Sequence, residues 1–190
     1  MNEKEIMDIL LSTGAISRGH FLLTSGLHSS VYVEKFRVFE NPEYTELLCK
    51  ELAGKLSQFN PDVTVGPMTG GILLAHEVSK FLHTKMMFTE RVNGKMTFRR
   101  GFRLSSSDRV IIVEDVVTTG GSVLEVIDAV QSFGSQLLAV GCLVDRSITL
   151  PNFNCPMISL LRLEINTYTP DNCPMCAEKI PLTKPGSTNK

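Results

Sequence analysis

No apolar stretch in this sequence approaches the roughly 18–20 residues that a membrane-crossing helix needs, so no membrane partner is expected. An excess of either charge is also missing. Lys and Arg number 19 against 20 Asp and Glu, for a formal charge of −1, which gives no global electrostatic reason to expect nucleic-acid binding. Any anion site must therefore be local. The start, Met1-Asn2-Glu3-Lys4-Glu5-Ile6, lacks the basic opening and apolar core of an export signal. A cytoplasmic setting with reduced cysteines is the expectation. Tryptophan is absent, which limits nothing in particular, and there is no internal repeat or low-complexity linker. A Gly-Lys-Ser/Thr phosphate loop and a Gly-x-Gly-x-x-Gly dinucleotide fingerprint are both missing. No Ser-His-Asp or Cys-His constellation suggests a covalent nucleophile.

What is present reads as one domain spanning 1–190. A first helix is predicted over Glu3–Ser12, with Ile6, Ile9 and Leu10 on one face. Short strands follow at Phe21–Gly26 and Val31–Glu34, joined by a turn at Gly26-Leu27-His28. Asn41-Pro42 opens a second helix, with a cap residue followed by Pro at the first helical position. Leu48, Leu52, Leu56 and Phe59 form its buried stripe.

From residue 62 the rhythm is strand, Gly-containing loop, helix, strand. Strands are expected at Asp62–Gly66, Lys85–Arg91, Arg109–Asp115 and Gln136–Asp145, and helices at Gly70–Leu82 and Ser122–Phe133. Val110-Ile111-Ile112-Val113 is apolar throughout, as suits a central strand covered on both faces. The alternation argues for an α/β fold with a mainly parallel twisted sheet flanked by helices. Its core would run over 62–147, and about 1–40 and 150–190 would contribute a small N-terminal/C-terminal hood. Ligands of such sheets bind beyond the carboxyl ends of the strands, here 66–71, 114–122 and 145–147.

The second of these segments is the informative one. The strand delivers Glu114 and Asp115, then Val116, Val117, Thr118, Thr119, Gly120, Gly121 and Ser122 lead into a helix. Gly120 and Gly121 let backbone approach a ligand closely. N–H groups at the helix head suit a phosphate, with the hydroxyls of Thr118, Thr119 and Ser122 as further donors. The carboxylates cannot bind phosphate, but they can accept from vicinal sugar hydroxyls. One loop thus offers both halves of a ribose 5-phosphate site. Read blandly, the same residues are an ordinary strand-to-helix turn with solvated acids.

These thirteen residues, Val110–Ser122, resemble the signature of type I phosphoribosyltransferases that bind 5-phosphoribosyl-1-diphosphate (PRPP). Gly19–Gly26 is similar to the entry segment of the orotate phosphoribosyltransferases, and Gly66-Pro67-Met68-Thr69-Gly70-Gly71 to their diphosphate loop. The resemblance runs from about residue 14 to 147. It implies a type I phosphoribosyltransferase-like fold and transfer of phosphoribosyl from PRPP to orotate, giving orotidine 5′-monophosphate and diphosphate in pyrimidine (UMP) biosynthesis. Purine-base transfer and a non-catalytic PRPP-binding regulator stand as the alternatives.

The resemblance also implies roles for residues. Glu114 and Asp115 would hold the ribose hydroxyls, and Thr118–Ser122 the 5-phosphate. Arg91 and Lys95 would hold the diphosphate, with Lys95 and Asp115 catalytic, and Thr118 and Arg146 would hold orotate. Mg²⁺ would be carried in by PRPP. Arg91, Lys95, Arg99, Arg100 and Arg103 occur with no acid among them, where the family has a mobile basic loop that reaches a neighbouring subunit. A homodimer with a shared active site follows. Thr24 and Thr69-Gly70 depart from a pattern in which many members carry Lys and Tyr-Lys, so cationic contacts to the diphosphate are fewer.

Cys173-Pro174-Met175-Cys176 has zinc-ligand spacing without a second pair, so it is either a structural turn or a zinc half-site completed by a neighbour or dimer mate. His20, His28, His76 and His83 form no spacing that suggests a metal. They are expected on the surface or on helix faces, and no metal ligand is assigned.

Overall fold

The computed structural model describes residues 1–23 and 25–185. Thr24, one of the two departures noted above, lies outside the described residues, as does most of the tail (186–190) that its composition marks as frayed. Two sheets organise the chain. The larger is built from β3 (Val63–Pro67), β4 (Lys85–Val92), β5 (Lys95–Phe98), β6 (Arg109–Val117), β7 (Gln136–Asp145) and β8 (Met157–Arg162). Its order is β5-β4-β3-β6-β7-β8, parallel except for the β4–β5 pair. The smaller sheet joins β1 (Ile16–Leu22), β2 (His28–Val33) and β9 (Thr167–Tyr168), antiparallel throughout. The expected α/β class with a mainly parallel sheet is what forms.

Among the described residues, six α-helices complete the fold. These are α1 (Glu3–Ser12), α2 (Phe36–Phe39), α3 (Pro42–Leu56), α4 (Gly70–Leu82), α5 (Gly121–Gln131) and α6 (Pro174–Ala177). A capping box starts α1: Asn2 Oδ1 accepts from Glu5 N at 2.9 Å, and Glu5 Oε2 accepts from Asn2 N at 2.8 Å. Pro42 is the first residue of α3, as read from the sequence. Asn41 precedes it, but its side chain donates back to Arg37 O rather than capping the helix.

The central strand shows why the apolar run needed both faces covered. Ile111 and Val113 point into one core with Leu48, Leu52 and Leu56 of α3 and Leu74, Ala75 and Val78 of α4. Val110 and Ile112 point the other way, with Val63 and Val65 of β3 and Val123, Val126, Ile127 and Val130 of α5. All four strand residues are fully buried. Period-two alternation along one strand thus feeds two separate cores.

Strand order reverses between β3 and β6. The chain leaves β3 through α4 toward one edge and leaves β6 through α5 toward the other, so a crevice opens between their carboxyl ends.

Four expectations need correction. The sheet does not end at 147: β8 pairs with β7 from Val140↔Met157 to Asp145↔Arg162, within a segment read as part of the hood. His28 is not in the turn but begins β2, paired with Leu22. The basic stretch is not an irregular loop: Thr89↔Phe98 through Val92↔Lys95 pair as a hairpin turning at Asn93-Gly94. Alternating apolar positions within it, Met96 and Phe98, are what dock it on the core. Finally, His20 and His28 are not surface residues but are buried, for a reason given below.

Leu52 is fully buried between α3 and the sheet. Leu52→Ala should cost about 2–5 kcal/mol of unfolding free energy. The check is a urea titration, in which the midpoint falls while the slope stays unchanged.

Candidate active site

The crevice is floored by the acidic pair. Asp115 is 1% exposed and Glu114 8%. Glu114 Oε1 accepts from Asp115 N at 3.0 Å, and Asp115 Oδ1 accepts from Val116 N at 2.7 Å, so the carboxyl groups are fixed by their own backbone. Burial, then the neighbouring Asp115 charge, push the Glu114 pKa up to about 8. Burial also raises that of Asp115, while Lys35 pulls in the opposite direction.

Lys35 is a site residue that sequence reasoning missed. It lies just after β2 of the small sheet, and its Nζ donates to Asp115 Oδ1 at 3.0 Å. Oδ2 of the same carboxylate is 2.9 Å from this ammonium, yet it accepts no aligned hydrogen bond. An isolated Lys in a turn carries no local signal, since its partner lies 80 residues away in the sequence.

The acid can lie this close to α4 only because residue 70 has no side chain. A Cβ on Gly70 would stand 1.6 Å from Asp115 Oδ2. The β3–α4 connection thus presses against the acidic pair, and its Met68–Thr69 peptide is cis.

Beyond the acids, Glu114 and Val116–Val123 line a cavity of about 60 Å³. At about 30 Å³ per water, that is room for roughly two waters or one tetrahedral oxyanion. Thr118, Thr119, Gly121 and Ser122 are exposed to it, and no side chain caps α5. Gly121 N–H donates to Thr119 Oγ1 at 3.4 Å, and the N–H groups that follow it are left for a ligand, on the end where the helix dipole favours negative charge. Gly120 makes the turn, with φ 77°. A Cβ there would meet Pro151 Cβ at 2.8 Å as well as demanding a left-handed backbone.

Arg146 flanks this loop. Its N–H donates to Val117 O at 2.8 Å, which sets the segment after β7 beside Thr118. The alternative of a simple pair with Asp145 fails. Asp145 Oδ1 instead accepts from Ser147 N at 2.8 Å and from its hydroxyl at 2.6 Å, and Oδ2 faces Arg162 Nε at 3.8 Å. No carboxylate lies within ion-pair distance of Arg146 among the described residues, and its Nε is buried without a partner. Burial depresses its pKa, while Tyr32 of β2 acts the other way. A pocket of about 300 Å³ opens from Arg146 toward Glu164–Asn166. An unpaired, partly desolvated guanidinium beside such a pocket is suited to a planar carboxylate.

Two residues predicted for the site are not brought to it within this chain. Arg91 Nη1 donates to Gly94 O at 2.6 Å and lies 2.7 Å from Glu125 Oε2 on α5. Lys95 is exposed on β5 beside Glu125, Asp128 and Ser132, on the flank of α5 rather than at its start. Arg99 and Arg100 pair with Glu90.

The chain from 39 to 155 matches the phosphoribosyl transferase domain family. It is 48% identical over 187 residues to the orotate phosphoribosyltransferase of Desulforamulus reducens, covering 98% of each chain. To that of Thermotoga maritima it is 46% identical over 182 residues, covering 96% of this chain and 97% of the relative. The solved orotate phosphoribosyltransferase from Aeropyrum pernix superposes with a TM-score of 0.69, at 24% identity, over 84% of this chain and 94% of that one. This last likeness concerns the fold.

The raised Glu114 pKa has a consequence for stability. Because the folded protein holds that proton more tightly than an ordinary carboxyl would, stability of the ligand-free protein should decline as pH climbs from 4.5 toward about 8. Glu114→Gln should flatten this decline in melting temperature against pH, and an unaltered slope would refute the assignment.

Proposed function

The chain belongs to the phosphoribosyl transferase domain family and, within it, to the orotate phosphoribosyltransferases, and on that premise we propose how its residues divide the work. The reaction joins the phosphoribosyl group of PRPP to orotate, giving orotidine 5′-monophosphate and releasing diphosphate. The observation that carries the assignment of roles is the cavity over 114–123, where buried carboxylates meet an uncapped helix start.

The 5-phosphate sits on the N–H groups opening α5, with the hydroxyls of Thr118, Thr119 and Ser122. Glu114 and Asp115 accept from the ribose hydroxyls and so fix the sugar ring. Positive charge that builds on this ring as diphosphate departs is favoured by the Asp115 carboxylate beneath it, and by Glu114 once that acid has given up its proton. Lys35 favours the ionised form of Asp115 for that task, against the pull of burial. Arg146 receives the orotate carboxylate, with Thr118 beside it, and so aims the ring nitrogen at the anomeric carbon. Nothing in this sequence of events calls for a covalent intermediate.

Mg²⁺ suits the oxygen donors here. Glu114 and Asp115 are hard ligands, and no third carboxylate or imidazole joins them among the described residues, as fits a cation that arrives on PRPP and keeps much of its water. Bound there, it would neutralise charge on the leaving diphosphate.

Lys95 serves the diphosphate of a second copy of the chain. Its place on the flank of α5, away from its own cavity, supports a homodimer with shared sites. Arg91, bound to Glu125, anchors the hairpin rather than touching substrate. A cytoplasmic location agrees with a helix set in which none of the described helices is long and apolar enough to cross a membrane.

Two measurements test this reading. Arg146→Ala should lower kcat/KM for orotate by roughly 10- to 100-fold, since a charge-assisted hydrogen bond contributes about 1.5–3 kcal/mol, while the KM for PRPP hardly moves. Diphosphate release with orotate undiminished would remove Arg146 from the base site. Lys95→Ala and Asp115→Asn should each be inactive alone, yet regain about a quarter of wild-type activity when mixed and allowed to exchange subunits. A mixture that stays inactive would place Lys95 in its own chain's site.

A further inference from the structure

Outside the crevice, four side chains that the reaction does not use converge between the small sheet and α6. His20 Nε2 lies 2.8 Å from His28 Nδ1, 3.5 Å from Cys173 Sγ and 3.7 Å from Cys176 Sγ. His28 Nδ1 is 3.3 Å from Cys176 Sγ, and all four atoms fall within 4.8 Å of one another. His20, His28 and Cys173 are buried, at 3%, 4% and 4% exposure, and Cys176 is the most accessible of the four.

We propose that His20, His28, Cys173 and Cys176 bind one zinc ion tetrahedrally and thereby staple the C-terminal segment to the β1–β2 hairpin. Three observations carry this. The first is size. Zinc–sulfur bonds of about 2.3 Å and zinc–nitrogen bonds of about 2.0–2.1 Å imply tetrahedral edges of about 3.6 Å between S and N. Three of the four S···N separations, at 3.3, 3.5 and 3.7 Å, bracket that edge, and the fourth is within 4.8 Å. The imidazole nitrogens, at 2.8 Å, need to part by about half an ångström to reach their own edge of about 3.4 Å.

The second observation is the tautomer. His20 Nδ1 lies 2.8 Å from Ile180 O, which can only accept. The ring therefore donates there and leaves Nε2 as a lone pair aimed into the cluster. A metal-bound imidazole is held in this way by a backbone carbonyl behind it.

The third is how the backbone aims these groups. β1 loses register between Arg18 and Phe21, and at this bulge His20 and Phe21 are buried consecutively, against the alternation of a regular strand. His28 opens β2 opposite Leu22 and beside Tyr168 of β9. Cys173 immediately precedes the single turn of α6 and Cys176 lies within it. Two thiols and two imidazoles at one point select zinc over the hard cation that accompanies PRPP.

The segment being held has little else to hold it. From Asp171 to Lys184 only Cys173 and Met175 are buried. Its backbone attachment to the hairpin is Thr183 N donating to His20 O at 2.8 Å and Leu22 N donating to Thr183 O at 2.9 Å. A metal clip between partners 148 to 156 residues apart adds what apolar burial does not.

The test uses the untagged full chain purified without chelator. Elemental analysis should find about one zinc per chain in the wild type and none in C173S/C176S. Because the double variant could fold poorly, wild-type protein exchanged with Co²⁺ provides a second readout. It should show the visible bands of tetrahedral cobalt together with thiolate-to-metal charge transfer. Removing zinc with a strong chelator should lower Tm by about 5 °C or more, reversed by adding zinc back. The site is refuted by wild-type protein that carries no metal and takes up neither ion, or that holds Cys173 and Cys176 as a disulfide. Zinc retained in C173S/C176S also refutes it. A Tm indifferent to zinc removal would overturn the stapling role.

Discussion

The crevice depends on keeping a carboxylate charged where burial opposes charge. Asp115 is almost wholly removed from water, and solvation alone would favour its neutral form. Three separate parts of the chain make the charged form tenable: the Val116 N–H from its own strand, the Lys35 ammonium from the far side of the small sheet, and a helix start stripped of its side chain at Gly70. Remove the ammonium and burial acts on the acid without a cation to oppose it. Add a methyl group at residue 70 and it loses its place. The two sheets are thus tied together at Asp115, and Tyr32 of β2 acts electrostatically on Arg146.

Much of this was legible in the sequence because it is encoded locally. The alternation from residue 62 onward, the apolar run before Glu114 and the glycine-hydroxyl loop each carry their signal within a dozen residues. Helices α1 and α4 and strand β7 fall where their periodicity places them. Misreadings cluster where non-local pairing decides. Met157–Arg162 becomes a strand because β7 offers it an edge, and Lys95–Phe98 becomes one because β4 folds back on it. Lys35 could not be found because nothing within reach of it in sequence asks for a cation.

The histidines show the same limit more sharply. Ligand spacing in sequence is a useful guide when ligands share one short motif, and Cys173 and Cys176 do. His20 and His28 are set by a bulge and by the register of a hairpin, neither of which leaves a mark on composition. Spacing alone leaves Cys173 and Cys176 as either a structural turn or a half-site completed from elsewhere, and it is the fold that brings His20 and His28 of the same chain to them. The β1–β2 hairpin and the segment from Cys173 to Thr183 meet there.

The clasp between Arg91 and Glu125 behaves unlike everything else described. It is an ion pair between side chains that are 46% and 37% exposed, whereas the groups around Asp115 are mostly shielded. Such pairs contribute about 0–1 kcal/mol and fade as counterions gather around them. The hairpin's polar hold on α5 is accordingly sensitive to ionic strength, while its apolar hold through Met96 and Phe98 is not. A change of salt that leaves the buried acids untouched would alter how freely the β4–β5 turn lifts away.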